Sequence, residues 1–190
     1  MESSYDINDS HFPSLHSAII DAAQFHLGQD RKYSKVPYIC HPLDVMQIVR
    51  TVTDDEGMLI AAVLHDVVED TDATIEFVES KYGPRVAELV GWLTDVSVPE
   101  DGNRQSRKNK DLAHTAAATP DAKTIKLADL IHNTESIVAS DPSFTKIFMA
   151  EQTRLLEVLT EGNSELYDRA MGAVKNYQNK LLQTSLNPLT

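Results

Sequence analysis

Seven consecutive apolar residues, 58–64 (MLIAAVL), run straight into His65, Asp66, Glu69 and Asp70. The apolar run is far too short to cross a bilayer, which takes about 20 such residues. It has no polar face, so as a helix it must be buried on every side. A chain organised round such an element needs further helices to cover it, and the rest of the sequence supplies them. Apolar residues recur at three- and four-residue spacing, glycine (7) and proline (8) are scarce, and strand-like alternation is hard to find.

The periodicity predicts helices over residues 14–26, from His41-Pro42 through Val52, over 56–69, from Thr74 through Val78, and from Gly83-Pro84 through Leu93. Residues 95–106 lose periodicity and read as a loop, followed by a basic segment over 107–118. Further helices are expected over 121–139, 143–159 and 163–182, with Gly162 and Asn163 as stop and start between the last two. The expected architecture is a single all-α domain, a bundle of about eight to nine helices. Its core would span residues 14–160, with a C-terminal helix over 161–183 and a tail over 184–190. No heptad repeat persists long enough for a coiled coil.

The length of 190 residues suits one domain with a core that needs no staples. A single cysteine, Cys40, excludes a disulfide framework and a multi-cysteine zinc site. The acidic, polar N-terminus does not read as a signal or transit peptide. The expectation is a soluble, cytoplasmic protein. A net charge of −12 repels nucleic acid and anionic membrane, so neither is an expected partner. A phosphorylated ligand would need a local cationic patch or a bound metal.

On a helix, His65, Asp66, Glu69 and Asp70 form one compact patch. Three crowded carboxylates repel one another and are costly to bury. A divalent cation would make the cluster favourable; a helix end reaching solvent is the alternative. A second polar interruption lies in TIKLADLIHNTESI, where Ile125, Asp129, Asn133 and Ile137 share a four-residue ridge. Buried Asp and Asn need partners there, either a helix-packing hydrogen bond or a polar site. His41 stands at a helix start, as a structural residue or a ligand. Together His41, His65, Asp66 and Asp129 would make a nitrogen and oxygen donor set for manganese, iron or zinc. His11, His16, His26, His114 and His132 carry no assigned chemistry. Arg104, Arg107, Lys108 and Lys110 place four cations in seven residues, as a solvated helix start or an anion contact.

The order His, His-Asp, Asp on a helical chain resembles the HD-domain metal-dependent phosphohydrolases. The blocks PYICHPLDV, AAVLHDVVEDTDAT, KYGPRVAELV and TIKLADLIHN resemble the hydrolase domain of the RelA/SpoT family, in the small single-domain alarmone hydrolase form typified by metazoan SpoT homologues. The resemblance covers residues 15–133 well and the last two helices loosely. It implies an enzyme that removes pyrophosphate from the ribose 3′ position of guanosine 3′,5′-bis(diphosphate) or the pentaphosphate form, giving GDP or GTP. It puts His41, His65, Asp66 and Asp129 on a metal, usually Mn²⁺. It makes Glu69 and Asp70 the pair needed for hydrolysis and gives Asn133 a nucleotide contact. Arg31 and Lys32 resemble a pair near the base and phosphates, one residue further from Pro37-Tyr38 than in the family. Arg104, Arg107 and Lys108 are the expected polyphosphate contacts. Leu130 and Glu135 stand where the family often has arginine. The alternatives are another nucleotide on the same centre (an adenosine alarmone, NADPH or a nucleoside monophosphate) or a catalytically silent nucleotide sensor. Homo-oligomerisation through the terminal helices stays open.

Overall fold

The computed structural model describes residues 14–32 and 34–186. The acidic N-terminal stretch, His11 and the last four residues of the expected tail lie outside them. Among the described residues the chain is all-α, apart from an isolated bridge between Asp30 and Pro37. Ten helices follow in order: α1 (Leu15–Phe25), α2 (Cys40–Arg50), α3 (Glu56–Leu64), α4 (Val67–Asp70), α5 (Ile75–Tyr82), α6 (Pro84–Leu93), α7 (Arg104–Ala116), α8 (Pro120–Ser140), α9 (Pro142–Val158) and α10 (Ser164–Leu186). None of them is long and apolar enough to cross a membrane.

Local chemistry explains where the helices begin. The side chains of Ser14, Asp55, Thr74, Asn103, Thr119 and Asp141 each accept a backbone N–H in the first turn of the helix that follows. Pro84, Pro120 and Pro142 open α6, α8 and α9, where a missing N–H costs nothing. Asn163 caps α10 by accepting from the backbone of Glu165 and Leu166.

α3 is the hub. Every residue from Met58 to Leu64 is buried, and α1, α2, α6 and α8 pack around it. The expected helix over 56–69 is broken in two by a turn at His65 and Asp66. There the backbone leaves the apolar core and meets the polar groups of α2 and α8. The expected loop over 95–106 is shorter than its composition suggests. It holds a 3-10 turn at Pro99–Asp101, and α7 starts at Arg104. A helix start among the cations was one of the two expected readings, and α7 gives no apolar signature because its inward stripe is polar. Arg104, Lys108, Asp111 and Thr115 line a cleft rather than a core. At the other end, α10 runs past the expected boundary at 183 to Leu186.

The last two helices are held by the turn between them. Gly162 lies so close to α8 that a Cβ would sit 2.8 Å from Leu127 Cδ1 and 3.1 Å from the Lys123 carbonyl carbon. Beside it, buried Lys123 pairs with Glu161, and the Asn163 N–H donates to Thr124 Oγ1 at 2.9 Å. Backbone cannot move aside as a flexible side chain can. Gly162→Ala should therefore lower stability by about 1–3 kcal/mol, the range for overpacking, measured as a lower urea midpoint with an unchanged slope.

Candidate active site

The first turn of α2 carries His41, the turn after α3 carries His65 and Asp66, and the middle of α8 carries Asp129. Both histidines are only 1% exposed. One donor atom each from His41, His65 and Asp66 lies within 4.8 Å of the others. His41 Nε2 is 3.4 Å from Asp66 Oδ2 and 3.2 Å from Asp129 Oδ1. His65 Nε2 is 3.1 Å from Asp66 Oδ2 and 3.8 Å from Asp129 Oδ1. Four residues from three parts of the chain thus converge on one point.

The His65 ring is oriented by its other nitrogen, since Nδ1 donates to the Ala62 carbonyl at 2.7 Å. With the proton there, Nε2 presents a lone pair, and it has no hydrogen-bond partner. A buried lone pair facing carboxylate oxygens is unfavourable without a positive charge between them. The position invites either a proton or a metal ion. Without the metal, the proton answers: burial would lower the His65 pKa, but the charge of Asp66, then of Asp129, overrides it and raises it to about 9. Burial would likewise raise the Asp66 carboxyl, yet His65 and hydrogen bonding to His41 hold it well below the usual range. Asp129 is held low against burial chiefly by the charge of Lys126, whose Nζ lies 3.5 Å from Oδ2. An orphaned imidazole nitrogen beside two ionised carboxylates is the donor chemistry of a divalent-cation site.

Glu69 and Asp70 follow on α4, one turn beyond Asp66. Burial, then the charge of Asp95, pushes the Glu69 carboxyl up, although Glu69 Oε2 accepts the Asp95 N–H at 3.1 Å. Burial and the charge of Asp66 push Asp70 up too. Two carboxyls raised in this way, side by side, are the residue types that general acid–base chemistry uses.

These groups lie in a cleft of about 400 Å³, within the range of small-molecule sites. Leu112, Leu130, Ile137, Phe144, Phe148 and Leu155 form its apolar wall. Seven carboxylates and five Lys or Arg side chains line it, a difference that one divalent cation would cancel. Arg104 makes a two-pronged pair with Glu151, Nε–Oε1 at 2.9 Å and Nη2–Oε2 at 2.7 Å. Lys108 pairs with Asp95 at 2.8 Å and Lys110 with Asp101 at 2.7 Å. Those partner acids explain how cations are tolerated near a helix start.

Of the expected contacts, Arg31, Asn133, Arg104 and Lys108 line the cleft. Lys32 is exposed and does not line it, and Arg107 lines an adjoining hollow instead. The Asp30–Pro37 bridge lies just before α2, with Arg31 lining the cleft and Lys32 exposed. Arg31 Nη2 donates to Asn133 Oδ1 at 2.9 Å, and Asn133 Nδ2 donates to Asp129 Oδ1 at 2.6 Å. The ridge of α8 that reads Ile125, Asp129, Asn133, Ile137 therefore serves a polar site.

Three residues of the site had no expected role. Tyr38 donates from its hydroxyl to Asp66 Oδ2 at 2.7 Å, with the Arg31 guanidinium 5.6 Å from its ring centre. Lys126 neutralises Asp129. His132, set aside in the sequence, places Nδ1 2.8 Å from His41 Nδ1. Tyr38 and Lys126 lie inside the PYICHPLDV and TIKLADLIHN blocks, and that proximity was the available signal. His26, also set aside, packs its ring on Tyr38 at 4.7 Å between centres.

A family model described as HD domain matches residues 18–156. The guanosine-3′,5′-bis(diphosphate) 3′-pyrophosphohydrolase MESH1 of Drosophila melanogaster is 42% identical over 125 residues, 64% of this chain and 68% of that protein. The guanosine-3′,5′-bis(diphosphate) 3′-pyrophosphohydrolase of Aquifex aeolicus is 32% identical over 131 residues; the match covers 67% of this chain but only 19% of that longer protein. A solved structure, described as a metazoan ortholog of SpoT that hydrolyzes ppGpp and plays a role in starvation responses, superposes with a TM-score of 0.78 at 31% identity. It covers 88% of this chain and 98% of its own. With the family model spanning most of the helical body, and with the His-Asp turn set where buried helices meet, this chain belongs to the HD-domain family.

Proposed function

We propose that the chain is a metal-dependent 3′-pyrophosphohydrolase of guanosine 3′,5′-bis(diphosphate) and its pentaphosphate form. Water would enter at the 3′ diphosphate, the bond from ribose O3′ to phosphorus would break, and GDP or GTP would leave with pyrophosphate. The observation that carries this reading is the buried donor cluster of His41, His65, Asp66 and Asp129 beside two carboxyls with raised pKa, on the floor of a nucleotide-sized cleft.

His41, His65, Asp66 and Asp129 would hold the ion, for which Mn²⁺ is the proposed identity. A divalent cation in such a place polarises a phosphoryl oxygen and makes bound water more acidic. The chain's own groups do the rest. Glu69 would hold the attacking water and take up its proton, with Asp70 as its partner. The leaving O3′ needs a proton, which the same pair can return. Tyr38 keeps the Asp66 carboxylate turned toward the cluster through its 2.7 Å hydrogen bond. Lys126, Arg31, Arg104 and Lys108 would offset phosphate charge along the cleft. A substrate phosphate would compete with Glu151 for Arg104 and with Asp95 for Lys108.

One observation favours a second reading, a different nucleotide on the same centre. Leu130 lines the cleft and Glu135 is exposed and paired with Arg169 at 3.3 Å, in places where the family often has arginine. Phosphate contacts would then differ from the family pattern. A nucleotide panel with Mn²⁺, followed by pyrophosphate and phosphate release, decides between them. Turnover of guanosine tetraphosphate supports the proposal. Turnover of another nucleotide alone supports the second reading, and tight binding without release of either product would make the chain a sensor.

Mn²⁺ at a hundredfold excess over its dissociation constant should raise stability by about 2.7 kcal/mol, seen as a higher Tm, and the rise should vanish in Asp66→Asn and His65→Ala. Glu69→Gln should lower kcat by about 10²–10⁴-fold while the protein still takes up one equivalent of metal. Lys108→Ala and Arg104→Ala should raise KM more than they lower kcat; loss of kcat at constant KM would contradict a ground-state phosphate contact.

A further inference from the structure

A metal-ligating histidine needs its second ring nitrogen anchored, because that bond sets both the ring plane and the nitrogen that is left bare. His65 uses the Ala62 carbonyl, a fixed acceptor. Among the described residues no carbonyl takes that role for His41. Its Nδ1 faces Nδ1 of His132 at 2.8 Å, with the ring centres 4.8 Å apart and the planes inclined by 34°. Such a contact is ambiguous by itself, since either imidazole could donate.

Asp44 removes the ambiguity. Its Oδ2 lies 3.3 Å from His132 Nε2, and an ionised carboxylate only accepts. A proton on His132 Nε2 would face Asp44, and the Nδ1 lone pair would then face His41. His41 would then donate from Nδ1, and in the neutral ring that leaves the Nε2 lone pair aimed between Asp66 and Asp129, where a cation would stand in place of a proton. The arrangement is built from matching spacings on two packed helices. His41 and Asp44 are three apart on α2, and Asp129 and His132 are three apart on α8. Each pair lies on one face of its helix, and the two faces meet.

We propose that His132, oriented by Asp44, is a positioning residue that fixes the tautomer and ring plane of His41 for metal ligation. This rests on the reading of the His/Asp cluster as a divalent-cation site, but not on any particular nucleotide. His132 does not touch the reacting atoms. It acts through His41, from the far side of the ring.

The test is direct Mn²⁺ binding to the full chain, with free Mn²⁺ followed by its electron paramagnetic resonance signal and no nucleotide present. His132→Leu removes the acceptor and should weaken Mn²⁺ binding by about 10–100-fold. His132→Asn keeps an acceptor oxygen near the position of Nδ1 and should recover most of that loss. Asp44→Leu frees the His132 tautomer and should fall between the two. If His132→Leu binds Mn²⁺ like the wild type, or if His132→Asn is as weak as His132→Leu, the positioning role is overturned. Wild-type affinity in Asp44→Leu would overturn the orienting role of Asp44. A wild-type chain that takes up no Mn²⁺ overturns the metal centre itself and this inference with it. A chain that binds Mn²⁺ in this pattern but leaves guanosine tetraphosphate intact overturns only the nucleotide assignment.

Discussion

Ionised carboxylates buried beside imidazoles are costly unless something positive stands among them, and the centre of this bundle is arranged around that demand. Asp66 and Asp129 meet His41 and His65 where the apolar hub of α3 ends. A proton on His65 can meet the demand, and so can a divalent ion. The neighbours are placed accordingly. Lys126 leans on Asp129, Tyr38 donates to Asp66, and the Ala62 carbonyl turns the His65 ring so that its bare nitrogen faces in. Packing α2 and α8 against α3 is what makes these neighbours possible.

The same electrostatic logic extends into the cleft. Its cations are mostly held by acids of their own, Arg104 by Glu151 and Lys108 by Asp95. These pairs are partly exposed, so each contributes little to stability and can be exchanged for a stronger anion. A polyphosphate would find donors already directed along its path, and the acidic surface of the protein would not have to be overcome unaided. Apolar side chains from Leu130 to Phe148 also line the cleft, and they suit the flat, less charged part of a nucleotide.

Much of this was legible before any coordinates. The apolar run of residues 58–64 announced a buried helix, and capping residues such as Thr74 and Pro84 marked boundaries that the structure keeps. His65-Asp66 with Glu69 and Asp70 announced a charged knot that burial alone could not accommodate. α7 is weakly legible, as a helix start among cations and no more, because its inward stripe faces a cleft and the usual apolar signature is absent. The break between α3 and α4 was missed for a related reason. A helical pattern in sequence continues through a turn that keeps nearly helical angles, as His65 and Asp66 do.

Residue types and spacings by themselves determined the helical class, the hub and the charged knot at its end, because these follow from periodicity and from the cost of burying charge; His41 and Asp129 joined the knot as metal-ligand candidates through the family resemblance. Tertiary structure alone decided which other residues serve the four ligand candidates. Tyr38, Lys126, His132 and Asp44 lie in the same two blocks as the ligand candidates, but nothing in their spacing says what each would touch, and Arg31 and Lys32 are equivalent there. Only the tertiary arrangement, with α2 against α8 and the Asp30–Pro37 bridge just before α2, sets Arg31 on the cleft, leaves Lys32 exposed and sets one imidazole behind another. Hydrogen bonds act over about 3 Å between particular atoms, and no one-dimensional pattern encodes that distance across 91 residues of chain.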